Sequence, residues 1–496
     1  MRVEARFCLF NNAESSQLLQ RNMASIHDLD RQAGGLSIAD NSNGHTQSQT
    51  LADALKEFGQ TADRLEGQLA AIQELLSNNT QLIGDHEAEI YKLYRRVGKL
   101  GREAEIFSGV VAQSVVNRIT KSVGARNSNI TDMLKHFNGL IKWIVQESLS
   151  SNRRKDSLWR IAEKCYNEAV APSGQLSADD YITSGSQSGS KQNLEEDQGD
   201  QRVAAEERRN NLRERWVRFW ATCLNNCPDG PTLFIPPEST SFEEELPFAR
   251  DPPKYLFRAY DSESWGVNKP NVIAAVGSDK SRINFLSSRQ DPTKMLYGHV
   301  IGPKTSTKDD NLVSWSSSLM FVIQRANSRC YQNDMGAANV YICAVDTTKF
   351  PKHQFVRDKY LMQLFPGNSM GEIGFREFQF NDPTYDNGEY LSQGILSTQG
   401  RSCTMSLENL ETAGFGGLYP KLDVSSGKAA ALAKMPWTNY VKDLRKTWQD
   451  ECTSTLSDLG SAIKIAQKCF TSSDKTDMAL LLLAFRNRKL KNTGKF

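Results

Sequence analysis

The chain has 496 residues, enough for about two to four domains of ordinary size. Lysine plus arginine (60) nearly balances aspartate plus glutamate (58), so the net charge of +2 gives no reason to expect nucleic acid as an electrostatic partner. The hydrophobic fraction of 39% and the mean hydropathy of −0.52 indicate a core of moderate size surrounded by much exposed helix or disorder.

The cysteines and the apolar runs indicate where the chain functions. Nine cysteines are scattered without a CxxC pair, and Cys223 and Cys227 have no second ligand pair at zinc spacing. We therefore predict reduced thiols and no metal. The N-terminus lacks the apolar core of a signal peptide, and the run 478–485 is far too short to span a membrane. The sequence predicts a soluble, intracellular protein, cytoplasmic or nuclear, without membrane association.

The N-terminal third is predicted to be disordered over 1–48 and helical over 49–172. Within it, apolar residues of the segment 51–107 recur in steps of four and three, the repeat of a coiled coil. Asn79 and His86 interrupt the seam, where a buried polar residue selects register and partner number. We predict self-association through this segment; the alternative is an amphipathic helix packed on a globular neighbour.

Four further segments follow from composition. Residues 173–205 are rich in Ser, Gly, Gln and acidic residues, which predicts a disordered linker. A short charged helix is predicted at 206–228, and a proline-rich connector at 229–253. Residues 436–496 are predicted to form C-terminal helices and a basic, solvated tail.

Between these segments, residues 254–425 have the character of an α+β domain. KYLFRAY, NVYICAVDTTKF and GEYLSQGIL have strand composition, and SSSLMFVIQRA is typical of a helix capped by serine. The predicted fold class is therefore multidomain, with an N-terminal α-helical coiled coil, a central α+β domain and C-terminal helices.

This domain contains, in chain order, Arg258, the serine run Ser316–Ser318 and Glu389. A guanidinium is suited to hold a pyrophosphate through two hydrogen bonds. A fixed carboxylate stabilises the positive charge that develops on a sugar when its glycosidic bond breaks. Structural alternatives stay open: Arg258 beside Asp261 as a surface ion pair, the serines as a helix cap, and Glu389 as a strand-edge residue.

The order of these motifs resembles the Arg/Ser-Thr-Ser/Glu class of ADP-ribosyltransferases. DNLVSWSSSL, VDTTKFP and GEYLSQGIL also resemble an uncharacterised domain family of filamentous fungi that looks like a remote branch of that fold. The resemblance covers residues 254–420 and implies NAD as substrate. It implies that Glu389 is the catalytic carboxylate, that Ser316 orients it, and that Arg258 grips the NAD phosphates. It also implies a cofactor-binding role for Ser317, Ser318, Trp315 and Tyr390, the two aromatic rings more as core or pocket wall than as stacking platforms.

One departure from the resemblance bears on the reaction. Arginine-modifying members carry Glu-x-Glu, whereas the first of these positions is Asn387 here. The expected functions are ADP-ribosyl transfer to another acceptor, such as a protein, or NAD glycohydrolysis. The competing hypothesis is a non-enzymatic interaction or ligand-sensing protein that retains the fold. His299 and His353 have no partners at a recognisable spacing, so the sequence assigns neither a catalytic role.

Overall fold

The computed structural model divides the chain into two compact units, Met1–Gly101 and Arg102–Phe496. It describes residues 44–77, 84–121, 123, 128–151, 157–186, 198–235, 251–278, 285–287, 291–302, 309–332, 335–383, 386–422 and 437–490.

The first unit is helical where it is described. Helix α1 is Gly44–Ser77, and helix α2, Gly84–Lys121, begins in this unit and ends in the second. Their apolar side chains at the coiled-coil positions are largely exposed, and His86 is exposed as well. Asn79 lies outside the described residues. We call the following set the heptad surface: Leu55, Phe58, Leu65, Leu69, Leu76, Val97 and Leu100.

The second unit begins with a set of helices that pack around aromatic side chains such as Trp216 and Phe137, whose rings stack at 5.6 Å. Helix α6, Ala178–Ser186, lies inside the segment 173–205, and helix α7, Gln198–Asn226, begins in it. Leu176 and Ala178 of this segment are buried against the helices of this set. The helices are α3 Ser128–His136, α4 Asn138–Ser151, α5 Leu158–Val170, α6 Ala178–Ser186 and α7 Gln198–Asn226.

An antiparallel sheet of six strands forms the centre of the unit, in the order β6–β7–β4–β1–β5–β9. A smaller antiparallel sheet has the order β2–β3–β8. The strands are β1 Tyr255–Tyr260, β2 Val267–Lys269, β3 Val272–Ala274, β4 Leu312–Ser316, β5 Tyr341–Asp346, β6 Val356–Arg357, β7 Glu389–Gln393, β8 Ile395–Ser397 and β9 Ser402–Ser406.

Helices connect these strands and follow them. Asp291 caps α8 by accepting hydrogen bonds from the backbone N–H groups of Thr293 and Lys294. Ser318 accepts one from Phe321 N at the start of α9, so the predicted serine cap is present. The helices are α8 Pro292–Ile301, α9 Leu319–Gln332, α10 Asp358–Leu364, α11 Met370–Asn381, α12 Leu407–Thr412, α13 Phe415–Leu418, α14 Trp437–Thr447, α15 Leu456–Cys469 and α16 Lys475–Leu483. Two short parallel strands, β10 Cys452–Ser454 and β11 Arg488–Leu490, lie near the C-terminus.

Three buried apolar clusters pack against the sheet. One joins the helices α2–α7 to residues of β4, β6 and β7, and a second joins β1, β5 and β9 to α9 and the C-terminal helices. The third contains residues of both sheets. Residues before and after the α+β region therefore supply much of the core against which its sheets pack, and residues 102–496 form one compact unit.

Polar contacts join the same parts. Arg401 donates to both carboxylate oxygens of Glu163 on α5, and the pair is largely buried. Gln393 on β7 donates to the carbonyl of Leu233 at 2.7 Å. Among the helices that the structure describes, none combines the length and the apolar composition needed to cross a membrane.

Candidate functional site

A cavity of about 540 Å³ opens beside strands β1, β4 and β7. This volume lies within the range of small-ligand sites, roughly 300–1,000 Å³. Its wall contains guanidinium groups from Arg258, Arg325 and Arg329, and carboxyl groups that include Glu389. The cavity therefore presents positive charge and a fixed carboxylate to the same space.

Glu389 begins β7 between two neighbouring strands. The register pairs it with Ser316 on β4, and Ser314 Oγ donates a hydrogen bond of 2.6 Å to Glu389 Oε1. On the other side, Val356 and Arg357 of β6 pair with β7, and one further step of this register places Asp358 opposite Glu389. The carboxylate is thus held by a hydroxyl on one side and faces a second carboxyl on the other.

Asp358 is buried, and its Oδ1 has no hydrogen-bond partner. Burial, and next the negative charge of Glu389, raise the pKa of Asp358 well above its ordinary value, although the guanidinium of Arg357 opposes the shift. Because two neighbouring carboxylates do not ionise together readily, Asp358 is the member of the pair that retains a proton.

His299 contacts Ser314 from the opposite side. Its Nε2 lies 2.8 Å from Ser314 Oγ, and its Nδ1 lies 2.6 Å from Asp310 Oδ2. The other oxygen of Asp310 accepts the backbone N–H of Leu312 at 2.9 Å. Asp310, His299, Ser314 and Glu389 therefore form one continuous line of hydrogen bonds along the cavity wall. The sequence analysis predicted no functional role for His299 or for Ser314.

Arg258 projects from β1 into the space between β1 and β4, which pair only at Phe257 and Ser316. Its Nη1 donates to Ser314 O at 2.9 Å and its Nε donates to Asn268 Oδ1 at 3.2 Å. The ion pair with Asp261, considered as an alternative for Arg258, is made instead by Arg329 at 2.7 Å.

Burial and the nearby positive charge of Arg329 lower the pKa of Arg258 to about 10, and the same two causes lower the pKa of Arg325 to about 10. Both groups stay charged at neutral pH. An anion in the cavity would stabilise these guanidinium groups, because it offsets both their mutual repulsion and their loss of hydration.

The predicted serines do not all lie in the cavity wall. Ser316 lines it, and its hydroxyl donates to Asn387 O at 2.5 Å and accepts from Ser318 N. Ser317 N donates to Gly388 O at 2.8 Å. Among the described residues, Ser317 and Ser318 do not line the cavity; they join the end of β4 to the loop before β7. Ser314, two residues before Ser316 on the same strand face, is the serine that contacts Glu389.

The two predicted aromatic residues point away from Glu389. Trp315 belongs to the cavity wall, but its side chain is buried in the third apolar cluster, and its Nε1 donates to Ser392 Oγ at 2.9 Å. Tyr390 packs against the same cluster and stacks beneath the Arg357 guanidinium, 5.2 Å from its ring centre. Alternate residues of a strand face opposite sides, so neighbours of Ser314 and Glu389 must take this position.

The loop before Glu389 is clamped by a C-terminal helix. Arg445 on α14 donates to Asn387 Oδ1 at 3.1 Å and to Asp386 O at 3.2 Å. Gly388 in this loop has φ +66°, and a Cβ added there would lie 1.8 Å from Ser317 Oγ. Glycine is therefore required for the turn that delivers Glu389 to the cavity.

One local signal indicates why Ser314 was missed. The strand LVSWS alternates apolar and polar residues up to Ser316, which places Ser314 and Ser316 on one face. The serine run that follows, Ser316–Ser318, makes this alternation hard to recognise in the sequence. For His299 and Asp310 no spacing rule applies, because α8 and the following loop bring them together. Among the described residues, no cluster of His, Cys, Asp and Glu has the composition to hold a metal ion.

Residues 251–410 match a family described as a domain of unknown function, DUF7587. The match contains the Arg258 strand, the serine strand and the Glu389 strand, and the family description assigns no activity. No curated protein and no solved structure matches the chain.

Proposed function

We propose that the cavity binds NAD and that the protein cleaves its nicotinamide–ribose bond, as an NAD glycohydrolase or an ADP-ribosyltransferase. The observation that carries this proposal is the adjacency of β1, β4 and β7, which brings Arg258, Ser314 and Glu389 to one cavity. The resemblance of the sequence motifs to the Arg/Ser-Thr-Ser/Glu class requires this adjacency. We propose Ser314-Trp315-Ser316 as the serine motif, in place of the predicted Ser316–Ser318, because Ser314 contacts Glu389.

The proposed reaction uses the charged side chains of the cavity wall. Arg258 and Arg325 neutralise the pyrophosphate of NAD. When the C1′–N bond breaks, its electron pair moves to the nicotinamide nitrogen, and the ribose becomes oxocarbenium-like. The Glu389 carboxylate, held by Ser314, stabilises that cation. Water then adds to C1′ and gives a proton to the carboxylate, so that ADP-ribose and nicotinamide are released.

The acceptor side favours hydrolysis over transfer to arginine. Asn387 replaces the first glutamate of the arginine-modifying pattern, and its Oδ1 already accepts a hydrogen bond from Arg445. An amide has no negative charge with which to attract an acceptor guanidinium. Water, or a protein acceptor other than arginine, is therefore the preferred second substrate.

The heptad surface supports a second element of the proposal, which is self-association. Its apolar side chains repeat at coiled-coil spacing and are exposed in the single chain. The same segment, 51–107, of a second copy of the chain would cover them. All described cysteines are free thiols, most of them buried, which supports a reducing, intracellular compartment.

The test is nicotinamide release from NAD by the full chain, together with Glu389→Gln. Glutamine keeps the shape of the side chain and removes its charge, so we expect NAD turnover to fall about a hundredfold or more while NAD binding persists. Glu408→Gln is the matched control, because Glu408 is exposed on α12, and its turnover should equal that of the wild type.

Equal turnover in the wild type and in Glu389→Gln would end the catalytic assignment. NAD binding without turnover in either protein would favour the ligand-sensing alternative. A failure to bind NAD at millimolar concentration would favour an interaction protein.

A further inference from the structure

The line Asp310–His299–Ser314–Glu389 contains three hydrogen bonds of 2.6, 2.8 and 2.6 Å. The three groups that flank Ser314 in this line lie on different elements. His299 is on α8, Asp310 is in the segment before β4, and Glu389 is on β7. Contacts this short at every link require a proton in every link.

The protons can be counted from the chemistry of the groups. An ionised Asp310 only accepts, so His299 Nδ1 must carry a proton. Ser314 has one hydroxyl proton and two close neighbours, so one of its two contacts must be filled by a proton from His299 Nε2 or from Glu389 Oε1. Four groups therefore share three protons, one more than a neutral imidazole, a hydroxyl and two carboxylates supply.

The surrounding charges decide where the additional proton lies. Apart from the residues of the hydrogen-bond line, the charged groups in the cavity wall are Glu263 and the guanidinium groups of Arg258, Arg325 and Arg329. This excess of positive charge favours an ionised Glu389 and opposes an imidazolium at His299, so the second ring proton depends on the groups that contact His299 itself. His299 lies in the last turn of α8, where the helix dipole favours a cation, and Asp310 lies against its other nitrogen.

We propose that Asp310, His299 and Ser314 form a proton-filled hydrogen-bond chain that keeps Glu389 ionised and oriented, with His299 as the positioning residue. His299 holds both ring protons and donates from Nε2 to Ser314, which must then donate to Glu389. Without the second ring proton, Nε2 would be an acceptor. The Ser314 hydroxyl would then turn toward His299, and Glu389 would lose its donor.

The kinetic part of this inference rests on the proposed NAD reaction. His299→Phe removes the donor at every pH, and we expect kcat to fall about tenfold or more, as positional errors in catalytic groups do. His299→Gln keeps an N–H donor that does not titrate. We expect it to retain kcat within about threefold of the wild type at pH 7, so that an amide N–H donor rescues the loss seen in His299→Phe.

A kcat in His299→Gln as low as that in His299→Phe would overturn the proposal, as would an unchanged kcat in His299→Phe. Thermal unfolding of each variant shows whether it is folded. A merely structural role for His299 would not make kcat depend on whether residue 299 offers an N–H donor to Ser314.

A second measurement does not need enzyme activity. The full chain, labelled with ¹⁵N in its six histidine rings, gives ring-nitrogen signals that distinguish one ring proton from two. His353 is an internal reference, because burial, and next the charge of Lys352, lower its pKa to about 4 and keep it neutral at pH 7. We expect two ring protons on His299 and one on His353 at pH 7.

The signals that disappear in His299→Gln identify the residue. One proton on His299 at pH 7 would overturn the proton-filled chain even if NAD is cleaved. Two protons on His299 in a protein without NAD turnover would support the hydrogen-bond chain and contradict only the proposed reaction.

Discussion

The heptad surface and the cavity differ in which kinds of side chain are exposed and which are buried. On α1 and α2, apolar side chains repeat along one stripe and remain exposed. In the α+β region, apolar side chains are buried on both sides of the sheet, and polar ones converge on a cavity inside the unit. Under the proposed self-association, a partner chain covers the heptad surface, whereas distant segments of the same chain form the cavity.

This difference predicts that each region fails separately. A change on the heptad surface affects assembly and leaves the cavity intact. A change near Glu389 affects the second unit alone. It also argues against isolating residues 251–410, because α2–α7 and the C-terminal helices supply part of the core against which the sheet packs.

The largest effect is expected on the heptad surface. Leu65→Glu combined with Leu69→Glu removes two apolar contacts and places charges in the seam. We expect the dissociation constant of the oligomer to rise about a thousandfold, or about 4 kcal/mol, when light scattering of the full chain is followed against concentration.

Gln60→Glu is the matched control, because position 60 lies on the outer face of the same heptads and should leave association unchanged. A wild-type chain that stays monomeric at every concentration would contradict the coiled-coil hypothesis. Turnover of NAD should be the same in all these variants if the two regions are independent.

A smaller effect is expected from Gly388→Ala in the loop before β7. Alanine at φ +66° is strained, and its Cβ would meet Ser317 Oγ at 1.8 Å and Ser317 Cβ at 3.1 Å. The hydroxyl is able to rotate, so we expect a loss of about 2–3 kcal/mol in the free energy of unfolding, measured with denaturant.

Gly371→Ala is the comparison, since it lies in helix α11 with nothing within 4 Å of the added Cβ. That variant should gain about 0.5–1 kcal/mol. A loss below about 1 kcal/mol in Gly388→Ala would show that the loop relaxes freely and that the turn does not hold Glu389 in place.

The smallest effect concerns Asp358, and it depends on pH. Its raised pKa means that the native protein keeps a proton that the unfolded chain has already lost. Stability therefore falls as the pH rises from the unfolded to the native pKa. In Asp358→Asn this contribution is absent, so the variant should become progressively more stable relative to the wild type between pH 5 and pH 7, by up to about 1 kcal/mol per pH unit.

Asp443→Asn, an exposed change on α14, should follow the wild-type curve at every pH. Parallel stability curves for the wild type and Asp358→Asn would mean that Asp358 is ionised in the native protein. Asp358 would then not be the proton-holding member of the pair opposite Glu389.

The local patterns of the sequence determined much of the secondary structure. KYLFRAY, NVYICAVDTTKF and GEYLSQGIL all contain strands at the expected places, and the serine-capped helix begins where predicted. These elements depend on side-chain alternation and capping, which act over a few residues. Arg258 and Glu389, both singled out from the sequence, line the same cavity, and their roles in binding and catalysis stay predictions.

The contacts inside the site were decided by tertiary structure. Ser314 and Glu389 are 75 positions apart and meet because β4 pairs with β7, and the two-residue alternation of β4 selects Ser314 in preference to Ser317 or Ser318. His299 joins them through α8, and Arg445 reaches Asn387 from a helix beyond the matched family region. Local sequence patterns extend over a few residues, whereas strand register and helix docking depend on how the whole core packs, so no local pattern shows which polar groups will meet.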